Sequence, residues 1–332
     1  MPIKYRPGYH LFRPGLFIFL FCLAQLPAEA QSQSRPSFKV QADFIRVPVT
    51  VLDRNGQAIL DLDRDDFELF DEGEQASISN FVIDESSVYV SLLLDSSGSV
   101  KDEIREIRDA AYGFVQTFDG DDRISIISFS DEIEVLQDWT DSDRQLRKAL
   151  GRLERGYRTA LYDAIKGAVE GPLDQVSGRR VIILFTDGLD NESRTTYDEV
   201  VNLLIEKDVI LYLVSRSRLI QPDVRESHRV DFLNRVLKNV LNDEEDFVDV
   251  YFREKEAAMN HLAETSGGRA LYPEALSDLG SAYVQVAREI KSQYLLTFLP
   301  PDTSSRRFRE IRVRCLQPHD RIYYRTTYRY PE

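Results

Sequence analysis

The chain has 332 residues, 42% of them hydrophobic and 30% charged, and its 56 acidic side chains against 42 basic ones give a formal net charge of −14. That length is ample for cores that need no cross-links and suggests one large domain beside a smaller one. The acidic excess argues against a nucleic-acid partner, whose phosphates it would repel.

The chain opens with Lys4, Arg6 and Arg13, an apolar stretch over residues 16–26, and a small-x-small ending at Ala28-Glu29-Ala30. This is the pattern of a secretory signal over residues 1–30, since the apolar stretch is too short to span a bilayer comfortably. A retained membrane anchor is the alternative. Phe21 stands before Cys22 where a lipoprotein signal would have a small residue. Cleavage after Ala30 leaves 39 basic and 55 acidic residues, a net charge of −16, and a secreted or periplasmic protein with no membrane insertion of its own. Cys315 is then the one cysteine left, so no disulfide can form within the mature chain.

After a polar linker at 31–36, residues 37–85 read as a β module. Phe38, Val40, Ala42 and Phe44 alternate, then the phase flips to Ile45, Val47, Val49 and Val51, which suggests a bulge near Phe44. Pro48 cannot donate to a ladder and favours an edge strand, and Asn55-Gly56 suits a tight hairpin. Residues 62–73 add a turn and another strand.

The apolar run at 88–94 suits a strand buried on both faces of a parallel sheet, and it ends in Asp95-Ser-Ser-Gly-Ser99. Ligand sites in such folds form at the carboxyl ends of strands. The oxygens of Asp95, Ser97 and Ser99, spaced by two around a glycine turn, can converge on one hard cation. Ile104, Ile107, Ala110, Ala111, Phe114, Val115 and Phe118 then recur at helical spacing. Strands follow at 123–128 and 132–137, the second an antiparallel edge strand, and Leu146, Leu150 and Leu153 mark a short helix. Gly156-Tyr-Arg-Thr-Ala-Leu-Tyr-Asp163 opens the next helix with Thr159 in its first turn. A second buried strand begins at Arg179 and ends in Thr186-Asp187-Gly188. Asp190-Asn-Glu192 could hold a second cation, but Asp and Asn in a loop more often bond the backbone, and they are left off the site.

Three loops on one sheet edge are thus expected to meet. D-x-S-x-S, a Thr opening a helix, and T-D-G after a second buried strand together resemble the metal-ion-dependent adhesion site of the von Willebrand factor type A family. Carried over by position, the resemblance implies Asp95, Ser97, Ser99, Thr159 and Asp187 as metal-site residues, Mg²⁺ or Mn²⁺ (Ca²⁺ being possible) as the ion, and an Asp or Glu carboxylate of a protein partner as the last ligand. Neutral hydroxyls in the shell leave charge on the ion for such an anion to neutralise. The stretch at 37–85 resembles the β module that precedes the type A domain in bacterial secreted proteins of this kind.

Helix at 200–205 and strand at 209–214 continue the alternation. Residues 216–252 depart from the compact pattern with a polar stretch, a helix expected around 230–241, and the acidic Asp243-Glu-Glu-Asp246, read as a solvated excursion. A helix at 254–265 is stopped by Gly267-Gly268, a short strand follows at 269–272, and Leu276, Leu279, Tyr283, Val286 and Ile290 line the closing helix. Strand pattern returns at 292–299, 308–315 and 322–328.

The fold expected is therefore α/β, a doubly wound, mainly parallel, Rossmann-like sheet over residues 86–291, inserted in or flanked by a small β-sandwich to which residues 37–85 and 292–332 both contribute. The competing arrangement pairs the C-terminal strands only with each other. Cys315 would sit buried in the sandwich as a small apolar residue. The function expected is a secreted, metal-dependent adhesion or protein-binding module. Neither a G-x-S-x-G elbow, an H-E-x-x-H pair nor a phosphate-binding glycine loop occurs, so a binding protein rather than an enzyme is expected, with a metal-assisted hydrolase, or a scaffold with a vestigial site, as the alternatives.

Overall fold

A computed structural model describes residues 44–97, 104–118, 120–226, 246–301 and 307–330. The signal, the linker, the strand before Phe44 with its bulge, Ser99 and the helix expected around 230–241 lie outside these residues.

Strand β1 (Ile45–Leu52) leads through the Asn55-Gly56 turn, where Asp53 Oδ1 accepts from the backbone N–H groups of Asn55 and Gln57 and Gly56 takes a positive φ of 73°. Strands β2 (Phe67–Asp71), β3 (Glu74–Ala76) and β4 (Ile78–Ile83) follow. The chain then enters an alternating region: β5 (Val88–Asp95), α1 (Ile104–Val115), β6 (Arg123–Phe129), β7 (Ile133–Thr140), α2 (Asp143–Leu150), α3 (Leu161–Glu170), β8 (Arg179–Thr186), α4 (Tyr197–Glu206), β9 (Val209–Ser215), α5 (Ser217–Arg225), α6 (Phe247–Ser266), β10 (Ala270–Leu271) and α7 (Leu279–Lys291). It leaves that region into β11 (Tyr294–Phe298), β12 (Phe308–Cys315), β13 (Arg321–Tyr324) and β14 (Thr327–Arg329).

The alternating region builds a six-stranded sheet in the order β10-β9-β8-β5-β6-β7, parallel except for the edge strand β7. Its strands are apolar on both faces because both faces are covered. Val90, Leu92 and Leu94 pack with residues of α1, α2 and α7, while Leu93, Ile127 and Leu184 pack with residues of α3, α4 and α6. This is the doubly wound α/β arrangement, and it turns the carboxyl ends of β5, β8 and β9 toward one edge.

The two ends of the chain share two antiparallel sheets, β13-β1-β11-β4 and β14-β12-β2-β3. Val47, Val49, Val51, Leu69, Leu296, Phe298, Ile311 and Val313 form the core between them, so neither end closes a core alone. The α/β region is inserted between β4 and β11, and its entry and exit are joined by the Asp84 N–H donating to the Gln293 carbonyl at 2.8 Å. Arg179 supports both, with its Nη1 donating to the Ile290 carbonyl at 2.8 Å and its Nε 3.6 Å from Asp84 Oδ2.

Several expectations are corrected. Strand β1 is internal, between β13 and β11, yet β13 pairs only with Val49 to Leu52, so Pro48 lies beyond the end of that ladder and is tolerated as on an edge. The pattern at 322–328 is two strands, one in each sheet. Cys315 is half-buried rather than buried, its Sγ 3.7 Å from the Gln317 carbonyl. Helix α6 starts at Phe247, seven residues earlier than expected, because Asp246 is its N-cap and accepts the Val248 N–H at 2.8 Å. The polar stretch after β9 is helical from Ser217. Gly267 ends α6 in the left-handed region at φ 94°, and Gly268 lies so close to β9 that a Cβ there would stand 2.0 Å from the Leu211 carbonyl oxygen.

Candidate metal centre

Asp95 is the last residue of β5, and its carboxylate is enclosed, with no exposed surface. The Ser97 N–H donates to Asp95 Oδ1 at 2.9 Å, the turn expected of Asp followed by Ser, and Ser97 Oγ donates to the same oxygen at 2.5 Å. Thr186, at the end of the neighbouring strand β8, donates its Oγ1 to Asp95 Oδ2 at 2.7 Å.

Thr159 arrives from the loop between α2 and α3. Gly156 allows this, because its N–H donates to the Ser96 carbonyl at 2.9 Å and a Cβ there would stand 2.1 Å from the Cβ of Ser130. The Ala160 N–H donates to the Ser130 carbonyl at 2.9 Å. Held at these two points, Thr159 donates its Oγ1 to Ser97 Oγ at 2.7 Å and is itself buried. It precedes α3 rather than standing in its first turn, with Ala160 as the N-cap residue.

The loop after β8 fixes this segment from the other side. Asn191 Oδ1 accepts the Thr159 N–H at 3.0 Å, and the Asn191 and Glu192 N–H groups donate back to the Thr159 carbonyl. Asp190 Oδ1 accepts the Leu161 N–H and Ser193 Oγ accepts the Asp163 N–H, so the unpaired donors at the start of α3 are met by side chains of this loop. Asp190 and Asn191 thus do the backbone bonding that their types suggest, and in doing so they position Thr159.

Asp187 follows β8, is 7% exposed, and accepts the Leu189 N–H on Oδ1. Its Oδ2 accepts from Arg216 Nη2 at 3.1 Å, and the same nitrogen donates to the Ser97 carbonyl at 3.2 Å and lies 4.0 Å from Asp95 Oδ2. Arg216, directly after β9, is buried. Burial and the nearby Asp187 carboxylate push Asp95 up to about 6, against the pull of Arg216, Ser97 and Thr186.

Four of the five residues read from the sequence, Asp95, Ser97, Thr159 and Asp187, therefore stand at one sheet edge, and Ser99 lies outside the described residues. Arg216, Asn191 and Thr186 are additions. Arg216 had a legible signal, a charged residue directly after the Ser215 that closes a third largely apolar strand, but reading 216–252 as a solvated excursion concealed it.

The side-chain donors from Asp95, Ser97, Thr159 and Asp187 are all oxygens, which fits a hard divalent cation and does not fit a thiolate or imidazole metal site. Among the described residues no group of three or more His, Cys, Asp and Glu side chains is gathered for a metal, so carboxylates would be the minority of any ligand shell here. His261 Nδ1 shares a hydrogen bond with the Tyr197 hydroxyl at 2.6 Å, and His319 Nδ1 lies 2.8 Å from the Gln317 carbonyl; neither imidazole is paired with a serine.

Residues 90–241 match the family model of the von Willebrand factor type A domain. The chain carries a von Willebrand factor type A domain. Solved structures similar to it include proximal thread matrix protein 1 from the mussel byssus with a zinc-occupied MIDAS motif, at 13% identity over 66% of this chain and 48% of that one, with a TM-score of 0.47. A von Willebrand factor type A protein from Catenulispora acidiphila is 14% identical over 75% of this chain and 49% of its own, with a TM-score of 0.45. The von Willebrand domain of the type V pili tip protein Mfa5 from Porphyromonas gingivalis is 11% identical over 62% of this chain and 96% of its own, with a TM-score of 0.44. The chain spans about half the length of the first two. No curated protein sequence matches it.

In the type A domain the three loops after β5, before α3 and after β8 supply the candidate donors, and the residue after β9 supplies a cation beside them.

Proposed function

We propose that the type A domain is a cation-dependent protein-binding module of the adhesion kind. Asp95, Ser97 and Ser99 would hold one Mg²⁺ or Mn²⁺, with Thr159 joining them and Asp187 behind. The ion supplies a positive centre that the carboxylate of an Asp or Glu on a partner protein can complete. The observation that carries this reading is the string Thr159 Oγ1, Ser97 Oγ, Asp95 Oδ1, at 2.7 and 2.5 Å, which joins two loops into one all-oxygen surface at the carboxyl edge of the sheet.

Binding fits this site better than turnover. The carboxylate nearest Ser97 already accepts from Ser97, Thr186 and the Ser97 N–H, and hydroxyls engaged in an ion's shell are not nucleophiles in waiting. The reading includes export through residues 1–30, a domain spanning 86–291, and a sandwich of 37–85 with 292–332 that presents the domain outside the cytoplasm. Among the described residues no helix is long and apolar enough to cross a membrane.

Acetate is the simplest probe of the partner's carboxylate. Solvent-proton relaxation by protein-bound Mn²⁺ should fall as acetate is added, because the acetate replaces water on the ion, whereas an unresponsive signal would contradict a partner-completed site.

A further inference from the structure

The residue after β9 deepens the reading just given and rests on it. Arg216 is 1% exposed, and its guanidinium Nη2 is 3.1 Å from Asp187 Oδ2, 3.2 Å from the Ser97 carbonyl and 4.0 Å from Asp95 Oδ2. A permanently charged, rigid side chain is thus built in among the same oxygens that would hold a divalent ion. The backbone fixes it there, since the Arg216 N–H donates to the Thr186 carbonyl at 2.9 Å and its carbonyl accepts from Leu219 and Ile220 in the first turn of α5. This is not a surface arginine that happens to reach a carboxylate.

Two consequences follow from charge alone. Asp95 and Asp187 together would formally balance the two charges of a divalent ion, whose open coordination position is then its main pull on an anion. The guanidinium adds one positive charge to that balance, in a buried setting where a unit charge is weakly screened. The second consequence has the opposite sign for the ion itself, because a guanidinium that already neutralises part of the pair, and repels an incoming cation, lowers the affinity for metal.

We propose that Arg216 sets the charge of this site: it weakens the hold of Asp95 and Asp187 on a divalent cation and, in exchange, makes the cation-loaded site selective for an anionic, carboxylate-bearing ligand. Arg216 is a specificity-determining residue and not itself a metal ligand. The arrangement favours a site that takes ion and ligand together over one that holds the ion tightly by itself.

The test titrates Mn²⁺ alone, then acetate at saturating Mn²⁺, into the full chain and its Arg216→Gln and Arg216→Lys variants, with free Mn²⁺ read by electron paramagnetic resonance and acetate by proton relaxation. Arg216→Gln should bind Mn²⁺ about tenfold more tightly, equivalent to about 1.4 kcal/mol, and its loaded form should take acetate several-fold more weakly; Arg216→Lys, which keeps the charge, should stay within about threefold of the wild type on both counts. Equal or weaker Mn²⁺ binding by a folded Arg216→Gln overturns the proposal and leaves the metal site standing. Failure of the wild type and all variants to bind Mn²⁺ overturns the metal site and the proposal together. Should Arg216→Gln not fold, the pair Asp187→Asn and Asp187→Asn/Arg216→Gln decides: the double variant must recover part of the Mn²⁺ affinity lost in the single one, and no recovery overturns the role of Arg216.

Discussion

Thr159 Oγ1 donates to Ser97 Oγ across 2.7 Å, and 62 residues of chain separate the two. Neither is near the other by local structure, so the bond depends on what holds the Thr159 loop in place. Asn191 is the third party, accepting the Thr159 N–H at 3.0 Å from the loop after β8.

Asn191→Ala should therefore loosen Thr159 without touching the Asp95-Ser97 turn. We expect a stability loss of about 1 kcal/mol, the usual worth of one such hydrogen bond, and a several-fold fall in acetate binding by the Mn²⁺-loaded protein with a smaller change for Mn²⁺ alone. Chemical denaturation and proton relaxation check the two parts; equal losses in both affinities would show that Thr159 is not the element affected.

The difference between what the residues of this site revealed in sequence and what they withheld is physical. Asp95, Ser97 and Asp187 are legible because apolar strands end at them, and a strand end marks a sheet edge whatever the topology. The pairing of Thr159 with Ser97 needs the loop geometry allowed by Gly156, which sequence spacing does not encode. Arg216 was hidden because a charged residue is read as solvated until a neighbouring carboxylate is known, and the start of α6 at Phe247 was hidden because Asp246 reads equally well as part of an acidic run and as an N-cap. The shared sandwich was legible only as a problem: a few strands at each end, neither able to bury its own apolar face. Which strands pair, and that 322–328 divides between two sheets, depends on tertiary contacts.

Gly156→Ala places a Cβ 2.1 Å from that of Ser130, which cannot be met without shifting the loop. The expected cost is about 2 kcal/mol, in the range of overpacking at a close approach, together with weaker acetate binding. Urea denaturation measures the first; a loss under about 0.5 kcal/mol, ordinary for a surface change, would mean that the loop is not held as described.

Ile311 on β12 is 1% exposed and packs in the core shared by both ends of the chain. Ile311→Ala should cost about 3 kcal/mol and lower amide protection in β1 and β2 as well as in β12, because these strands share one core. Hydrogen exchange followed strand by strand checks this. Loss confined to residues 307–330 would support C-terminal strands that pair only among themselves.

Asp163, in the first turn of α3, accepts the N–H groups of Thr195 at 2.9 Å and Arg194 at 3.1 Å. Partial burial works to raise its pKa, but the hydrogen bonds from Thr195 and Arg194 outweigh it and hold the carboxyl below the usual carboxylate range. A folded value below the unfolded one means a contribution complete above the unfolded value and lost as the pH falls through the folded one. Asp163→Asn should thus cost about 1 kcal/mol at pH 7, reduced for its exposure, and the gap to the wild type should close as the pH falls through the unfolded value and then the lower folded one. Thermal melts of both proteins across this range decide it, and a gap that widened in acid would reverse the sign.

The central claim is that the oxygens around Asp95 hold a divalent cation. Calorimetric titration of Mn²⁺ into the wild type and into Asp95→Asn, with folding of both verified by circular dichroism, tests it most directly. The account predicts one ion bound by the wild type with modest affinity, and a loss of at least about tenfold, or about 1.4 kcal/mol, in the variant. The same Mn²⁺ affinity in both proteins would contradict it.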